Sequence, residues 1–153
     1  MTNFSSVTFL KTSFRAFLLA FFLLGSASKL SAQKNKLHIV ITGFRNDRGK
    51  LLLSIFNADK GFPTSEKDAY GKHQQVVKNG KAVVDLELPE GEYAIAVLHD
   101  ENGNLKMDTR AFGLPKEGYG FSQNVMGTFG PPSFKKAAVH FPQQKEIEIR
   151  IKY

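Results

Sequence analysis

The 153 residues include no cysteine, and 21 Lys and Arg stand against 14 Asp and Glu for a formal net charge of +7. The missing thiols exclude disulfides, thiolate metal sites, a cysteine nucleophile and a lipid-modified cysteine anchor. The basic residues are scattered rather than clustered, which argues against a nucleic-acid partner, and the length suits one domain.

The N-terminal residues read as a leader. Lys11 and Arg15 form a basic segment, residues 16–24 are an unbroken apolar run, and small residues follow up to Ala32. That is the layout of a secretory signal peptide, and the run is too short for a mature bilayer span. Cleavage is expected after Ala32, with Ser28 as the fallback because Leu30 is large for the −3 position. The expectation is an exported chain, periplasmic or secreted, with residues 1–32 as signal peptide, residues 33–153 as one domain, and no stable membrane span after processing. The leader carries Lys11, Arg15 and Lys29 and no acid, so 21 basic residues become 18 against 14 acidic ones, and the net charge falls from +7 to +4.

Period-two patterning dominates the rest. Leu37, Ile39 and Ile41 alternate with more polar neighbours and predict a first strand. Residues 43–49 are a turn. Residues 50–57 predict a second strand with Leu51, Leu53 and Ile55 on one face, paired to the first as a hairpin. A polar loop follows over 59–72, with Phe62 plugging the edge of the core and a helical turn around 65–70. Asn79-Gly80 separates expected strands 74–78 and 81–88, and is the favoured dipeptide of a two-residue turn that needs positive φ twice. Tyr93, Ile95 and Val97 share one face of the next strand, 92–99. Ala94 and Ala96 on the other face are small enough for close packing by a sheet or a loop. Residues 137–141 and 145–152 complete about seven strands. The economical fold is all-β: a single antiparallel β-sandwich, immunoglobulin-like or transthyretin-like, with no amphipathic helix after the leader.

Residues 100–136 form the one long irregular segment. Its aromatic and aliphatic residues, Phe112, Leu114, Tyr119, Phe121, Val125, Met126, Phe129 and Phe134, are too many for a solvated coil. An ordered Gly/Pro/aromatic loop over one face or end of the sandwich is expected. Two readings stay open: its aromatics complete the core, or Tyr119, Phe121 and Asn124, with His99 at the strand end, form a binding site for a small ligand or sugar.

The start of that segment carries oxygens at Asp100, Asn102, Asn104 and Asp108, with the Lys106 carbonyl between them. This spacing wraps a hard cation such as calcium in some loops. It supplies about five of the six to eight oxygens calcium takes, Ala111 stands where an EF-hand has its bidentate Glu, and Lys106 dilutes the charge. The competing reading is a turn in which Asp and Asn hold backbone amides.

Catalytic patterns are sparse. Neighbours in a strand point to opposite faces, so His99 and Asp100 make a poor dyad. Ser122 and Ser133 lie in no nucleophile-elbow pattern, and His38, His73, His99 and His140 lack zinc spacing. The alternative to a binding module is a small hydrolase using Asp100, Glu101 or Asp108 with His99.

Several segments carry a family resemblance: Thr42-Gly43-Phe44-Arg45-Asn46-Asp47-Arg48-Gly49, Phe56-Asn57 with Gly61-Phe62-Pro63, Leu88-Pro89-Glu90-Gly91-Glu92-Tyr93-Ala94, His99-Asp100-Glu101-Asn102-Gly103-Asn104, Gly113-Leu114-Pro115-Lys116-Glu117-Gly118-Tyr119-Gly120-Phe121-Ser122, and Phe129-Gly130-Pro131-Pro132-Ser133-Phe134. Together they resemble the domain-of-unknown-function family 2141, small exported bacterial domains. The resemblance implies a compact β-sandwich and placement outside the cytoplasm, and no reaction. Many relatives read Asn-Gly-Asn-Gly-Lys-Leu-Asp where this chain has Leu105 and Met107 in the corresponding turn. The Pro-Glu-Gly-Glu-Tyr turn is also similar to transthyretin-like and carboxypeptidase-regulatory-like sandwiches, which supports fold more than function. The expected role is a non-catalytic binding or accessory module for a small ligand, a sugar or an envelope protein.

Overall fold

The computed structural model describes residues 35–153; the expected leader lies outside the described residues. Eight strands form two sheets: β1 (Lys36–Thr42), β2 (Lys50–Phe56), β3 (Gly71–Gln75), β4 (Lys81–Glu87), β5 (Gly91–Asp100), β6 (Gly118–Phe121), β7 (Val139–Phe141) and β8 (Glu146–Arg150). One sheet has the order β4-β1-β8. The other runs β3-β2-β5-β6, with β7 also pairing β5. Among the described residues no helix is long and apolar enough to cross a membrane.

The alternation expected from the sequence sets the faces. Leu37, Ile39 and Ile41 of β1 are fully buried, and they join Val84, Ile147 and Ile149 of their own sheet. Leu51, Leu53, Ile55, Tyr93, Ile95 and Val97 of the other sheet belong to the same buried cluster. Burying each such side chain contributes about 1.5–3 kcal/mol. The expected turn around 65–70 is a 3-10 turn at Glu66–Asp68.

Four expectations about pairing need correction. β1 and β2 are not a hairpin. β1 is the central strand of its sheet, with β4 on one edge and β8 on the other, so no edge remains for β2. The seven-residue turn between them is longer than most hairpin loops and takes the chain into the second sheet. The pairing is not purely antiparallel, because β8 runs parallel to β1, with Ile39 opposite Ile147 and Ile41 opposite Ile149. The Asn79-Gly80 turn forms as expected, with φ of 54° and 70° and two backbone hydrogen bonds between Lys78 and Lys81. Its flanking strands nevertheless part: β3 pairs β2, and β4 pairs β1. Finally, the described residues hold eight strands rather than seven, because β6 lies inside the expected loop. Its two glycines hid it. A Cβ at Gly118 would come within 2.5 Å of Ile151 and Tyr153, and one at Gly120 within 2.9 Å of the Arg150 carbonyl. Glycine there lets β6 lie against the C-terminal residues.

The other face of the five-stranded sheet carries a second, smaller core. Phe56, Ala94, Phe121, Phe134 and Ala137 are buried together, with Phe62, Tyr119, Val125 and Met126 packed around them. Ala94 and Ala96 leave room for this covering, as their size led one to expect. Ser122 secures it: its hydroxyl accepts from the Ile95 amide and donates to the Ala137 carbonyl. The Tyr93 ring folds back over Gly91, and its hydroxyl donates to the Pro89 carbonyl at 3.0 Å, which gives the Pro-Glu-Gly-Glu-Tyr turn its physical reason. Burial first, then the neighbouring Tyr70, raises the Tyr93 pKa.

Candidate functional site

The 43–49 turn, the end of β5 and the segment leading into β6 meet at one end of the five-stranded sheet. β5 ends on the buried pair His99 and Asp100, whose side chains take opposite faces. His99 continues the inner row of Tyr93, Ile95 and Val97. Phe44 packs edge-on against its ring at 4.9 Å. Its Nε2 lies 2.8 Å from the Arg48 carbonyl and its Nδ1 lies 2.6 Å from the Tyr153 hydroxyl. Because a carbonyl only accepts, the network assigns the proton to Nε2.

Glu101 follows immediately. Arg45 grips it with two hydrogen bonds of 2.6 Å, and Asn46 adds a third at 3.0 Å. The hydrogen bond from Arg45 holds the Glu101 carboxyl down to about 2, with help from Asn46 and against the opposing effect of burial. The same guanidinium stacks 4.3 Å over the Tyr153 ring, and Glu101 in turn raises the Arg45 pKa. Gly49 lets these parts meet. It has a φ of +66°, and a Cβ there would stand 1.9 Å from the Asp100 carbonyl oxygen.

The turn after β5 is held from inside. Asp100 accepts backbone hydrogen bonds from Gly103, Asn104 and Leu105. Asn102 Oδ1 accepts from the Asn104 amide, and Asn104 Oδ1 from the Lys106 amide. Those backbone donors fix the side-chain orientation, so both Asn NH₂ groups point at the Asp108 carboxylate, at 2.7 and 3.0 Å. The inside of the turn therefore presents hydrogens where a cation would need oxygens. The residues proposed as calcium ligands, Asp100, Asn102, Asn104, Lys106 and Asp108, do come together, but in an arrangement that does not fit calcium. Glu117 closes the turn. It is 3% exposed, and its two oxygens accept from the Glu101 and Asp108 amides, each at 3.0 Å.

Between these parts lies an open cleft of about 170 Å³, lined by Arg45, Arg48, Glu101, Asn102, Asp108, Lys116 and Glu117. Its three carboxylates are all engaged within the chain. Its remaining cations, the Arg48 guanidinium and the Lys116 ammonium, have no hydrogen bond or ion pair among the described residues. The hydrogen-bond donors left free in the cleft are thus those of two cations.

The ligand-binding residues expected from the sequence lie elsewhere. Tyr119 and Phe121 pack on each other in the outer core, ring centroids 5.8 Å apart. Asn124 spans the edge of β8, donating to the Glu148 carbonyl and accepting from the Arg150 amide at 2.9 and 2.7 Å. His99 is buried behind the cleft rather than in it. Among the expected cation ligands, Asn102 and Asp108 line the cleft. Arg45, Arg48, Lys116 and Glu117 were not anticipated as site residues. The family resemblance held the signal that could have found them: these residues fall inside two of its segments, which are distant in sequence and adjacent in space.

Fold and site define an all-β domain of two sheets with a small, polar, charge-lined cleft at one end. The chain belongs to the bacterial family described as "Uncharacterized protein conserved in bacteria" (DUF2141), which matches residues 39–150 and so contains every cleft residue. Neither the curated proteins nor the solved structures give a match.

Proposed function

We propose that the chain is an exported, non-catalytic binding domain, its two sheets packed as one β-sandwich, and that the cleft takes a small ligand through an anionic group. One observation carries the reading. Glu101, Asp108 and Glu117 are each satisfied within the chain, whereas the Arg48 guanidinium and the Lys116 ammonium line the cleft without partners among the described residues. A carboxylate or phosphate, including that of an acidic sugar, matches such donors. The hydrolase reading has less support. His99 is fully buried with both ring nitrogens engaged, and Asp100 is spent on three backbone amides. Glu101 is shifted down, opposite to what a general acid requires.

Thermal unfolding with inorganic phosphate and with glucuronate tests the ligand. Binding only to the native state raises the midpoint, and the rise is expected to vanish in an Arg48→Ala, Lys116→Ala double variant. A neutral sugar serves as control. A rise that survives the double variant, or none with either anion at millimolar concentration, would overturn the anionic reading. Export is tested by fractionating cells and weighing the N-terminus of the recovered chain, where a mass beginning at Gln33 is expected.

A further inference from the structure

We propose that the segment 108–116 is a lipid-surface contact that places Phe112 and Leu114 among acyl chains and Arg110 and Lys106 against anionic headgroups. The segment is a small, ordered hairpin. Thr109 and Pro115 form a bridge, the Arg110 amide donates to the Leu114 carbonyl at 2.7 Å, and the Lys116 amide donates to the Asp108 carbonyl at 2.8 Å. Glu117 pins its base through the Asp108 amide.

At the tip stands Phe112, 101% exposed, with φ 64° and ψ 19°. Non-glycine residues are uncommon in that left-handed region. A phenylalanine there gains nothing from the fold: its backbone is strained and its ring meets only water. Leu114 beside it is 61% exposed, and Leu105 and Met107 in the preceding turn are 48% and 36% exposed. Between Asp108 and Glu117 the hairpin contains no acid, and Arg110 and nearby Lys106 have no ion pair among the described residues. An apolar tip with a collar of free cations is complementary to an anionic lipid interface, where rings enter the acyl boundary and cations meet phosphates. A single protruding turn offers no broad apolar face of the area a stable protein interface needs. The proposal is independent of the cleft ligand, because neither Phe112, Arg110 nor Lys106 lines the cleft.

The chain contains no tryptophan, so Phe112→Trp in the full chain gives a single local reporter. Phe129→Trp is the matched control: Phe129 is also 101% exposed, but it lies beyond β6, whose antiparallel pairing carries the chain back along β5 away from the hairpin. With phosphatidylglycerol vesicles, Phe112→Trp is expected to shift its emission to the blue and to lose quenching by aqueous iodide. Phosphatidylcholine vesicles should give a weaker shift, and Phe129→Trp none. Adding Arg110→Glu should weaken partitioning on the order of tenfold, reversed in part by salt. Emission that stays water-like with phosphatidylglycerol overturns the proposal. So does an equal shift at Phe129→Trp, which would mean adsorption of the whole surface, or a lipid-free shift that grows with protein concentration, which would mean self-association.

Discussion

The Tyr153 hydroxyl stands 2.6 Å from Nδ1 of His99, a ring with no exposure to solvent. Nε2 carries the ring proton toward the Arg48 carbonyl, so with a neutral ring Nδ1 accepts from Tyr153. The tyrosine oxygen in turn accepts from the Arg45 amide at 3.1 Å. One chain of hydrogen bonds therefore ties the 43–49 turn, the end of β5 and the last residue together. Tyr153→Phe keeps the ring beneath Arg45 and removes only the hydroxyl. A buried acceptor left unpaired costs about 1–3 kcal/mol, and a lower urea midpoint at unchanged slope should report it.

Acid should loosen the same end of the domain. The folded pKa of Glu101, about 2, lies below its ordinary 4.5, and the hydrogen bond from Arg45 is the main cause. The unfolded chain takes up the proton first as pH falls. The contribution of Glu101 is thus fully present above 4.5 and is lost as pH falls toward 2. Its size is on the order of 1 kcal/mol once screening at half-exposed Arg45 is allowed for. Stability of wild type minus Glu101→Gln, followed by urea titration across this range, should shrink steadily with acid. A flat difference would show that the pair does not hold the turn.

Calcium should leave the melting temperature unchanged. The Asp100 to Asp108 turn satisfies its own oxygens, so millimolar calcium and a chelator are expected to give the same midpoint. A midpoint raised by calcium would mean that Asn102 and Asn104 had turned their oxygens inward. Asp100→Ala, by contrast, strands three backbone donors and should cost at least about 2 kcal/mol with or without calcium.

Two phenylalanines of the same segment should behave oppositely. Phe121 is 6% exposed in the outer core, and Phe121→Ala should cost about 3–5 kcal/mol. Phe112 touches only solvent, and Phe112→Ala should change stability by no more than about 0.5 kcal/mol. Equal losses in one urea series would contradict the placement of both.

Much of the fold was legible because it rests on short-range alternation. Leu37, Ile39 and Ile41, or Ile147 and Ile149, announce a buried face without knowledge of any partner. The positive φ angles of Asn79 and Gly80 were equally local. Strand β6 was not legible, since Gly118 and Gly120 erase the alternation on its inner face for the sake of close approach to the C-terminal residues. The cleft was less legible still. Arg45 and Glu101 are each ordinary surface residues in isolation, and only their contact makes Glu101 a satisfied group and leaves Arg48 and Lys116 as the free cations.

The amino-acid order alone determined which residues turn inward, where the chain bends, and that the acidic run after β5 would form a hydrogen-bonded turn or an ion loop. These depend on neighbours a few positions apart. Tertiary structure decided the rest: β1 beside β8 instead of β2, Asn amides rather than oxygens facing Asp108, and Tyr153 beneath Arg45. The reason is physical. A strand's preference for a face is repeated at every second residue, whereas its choice of partner, and the pairing of two charges, depends on many weak contacts between residues far apart in the chain, and these exist only once both sheets have closed on one core.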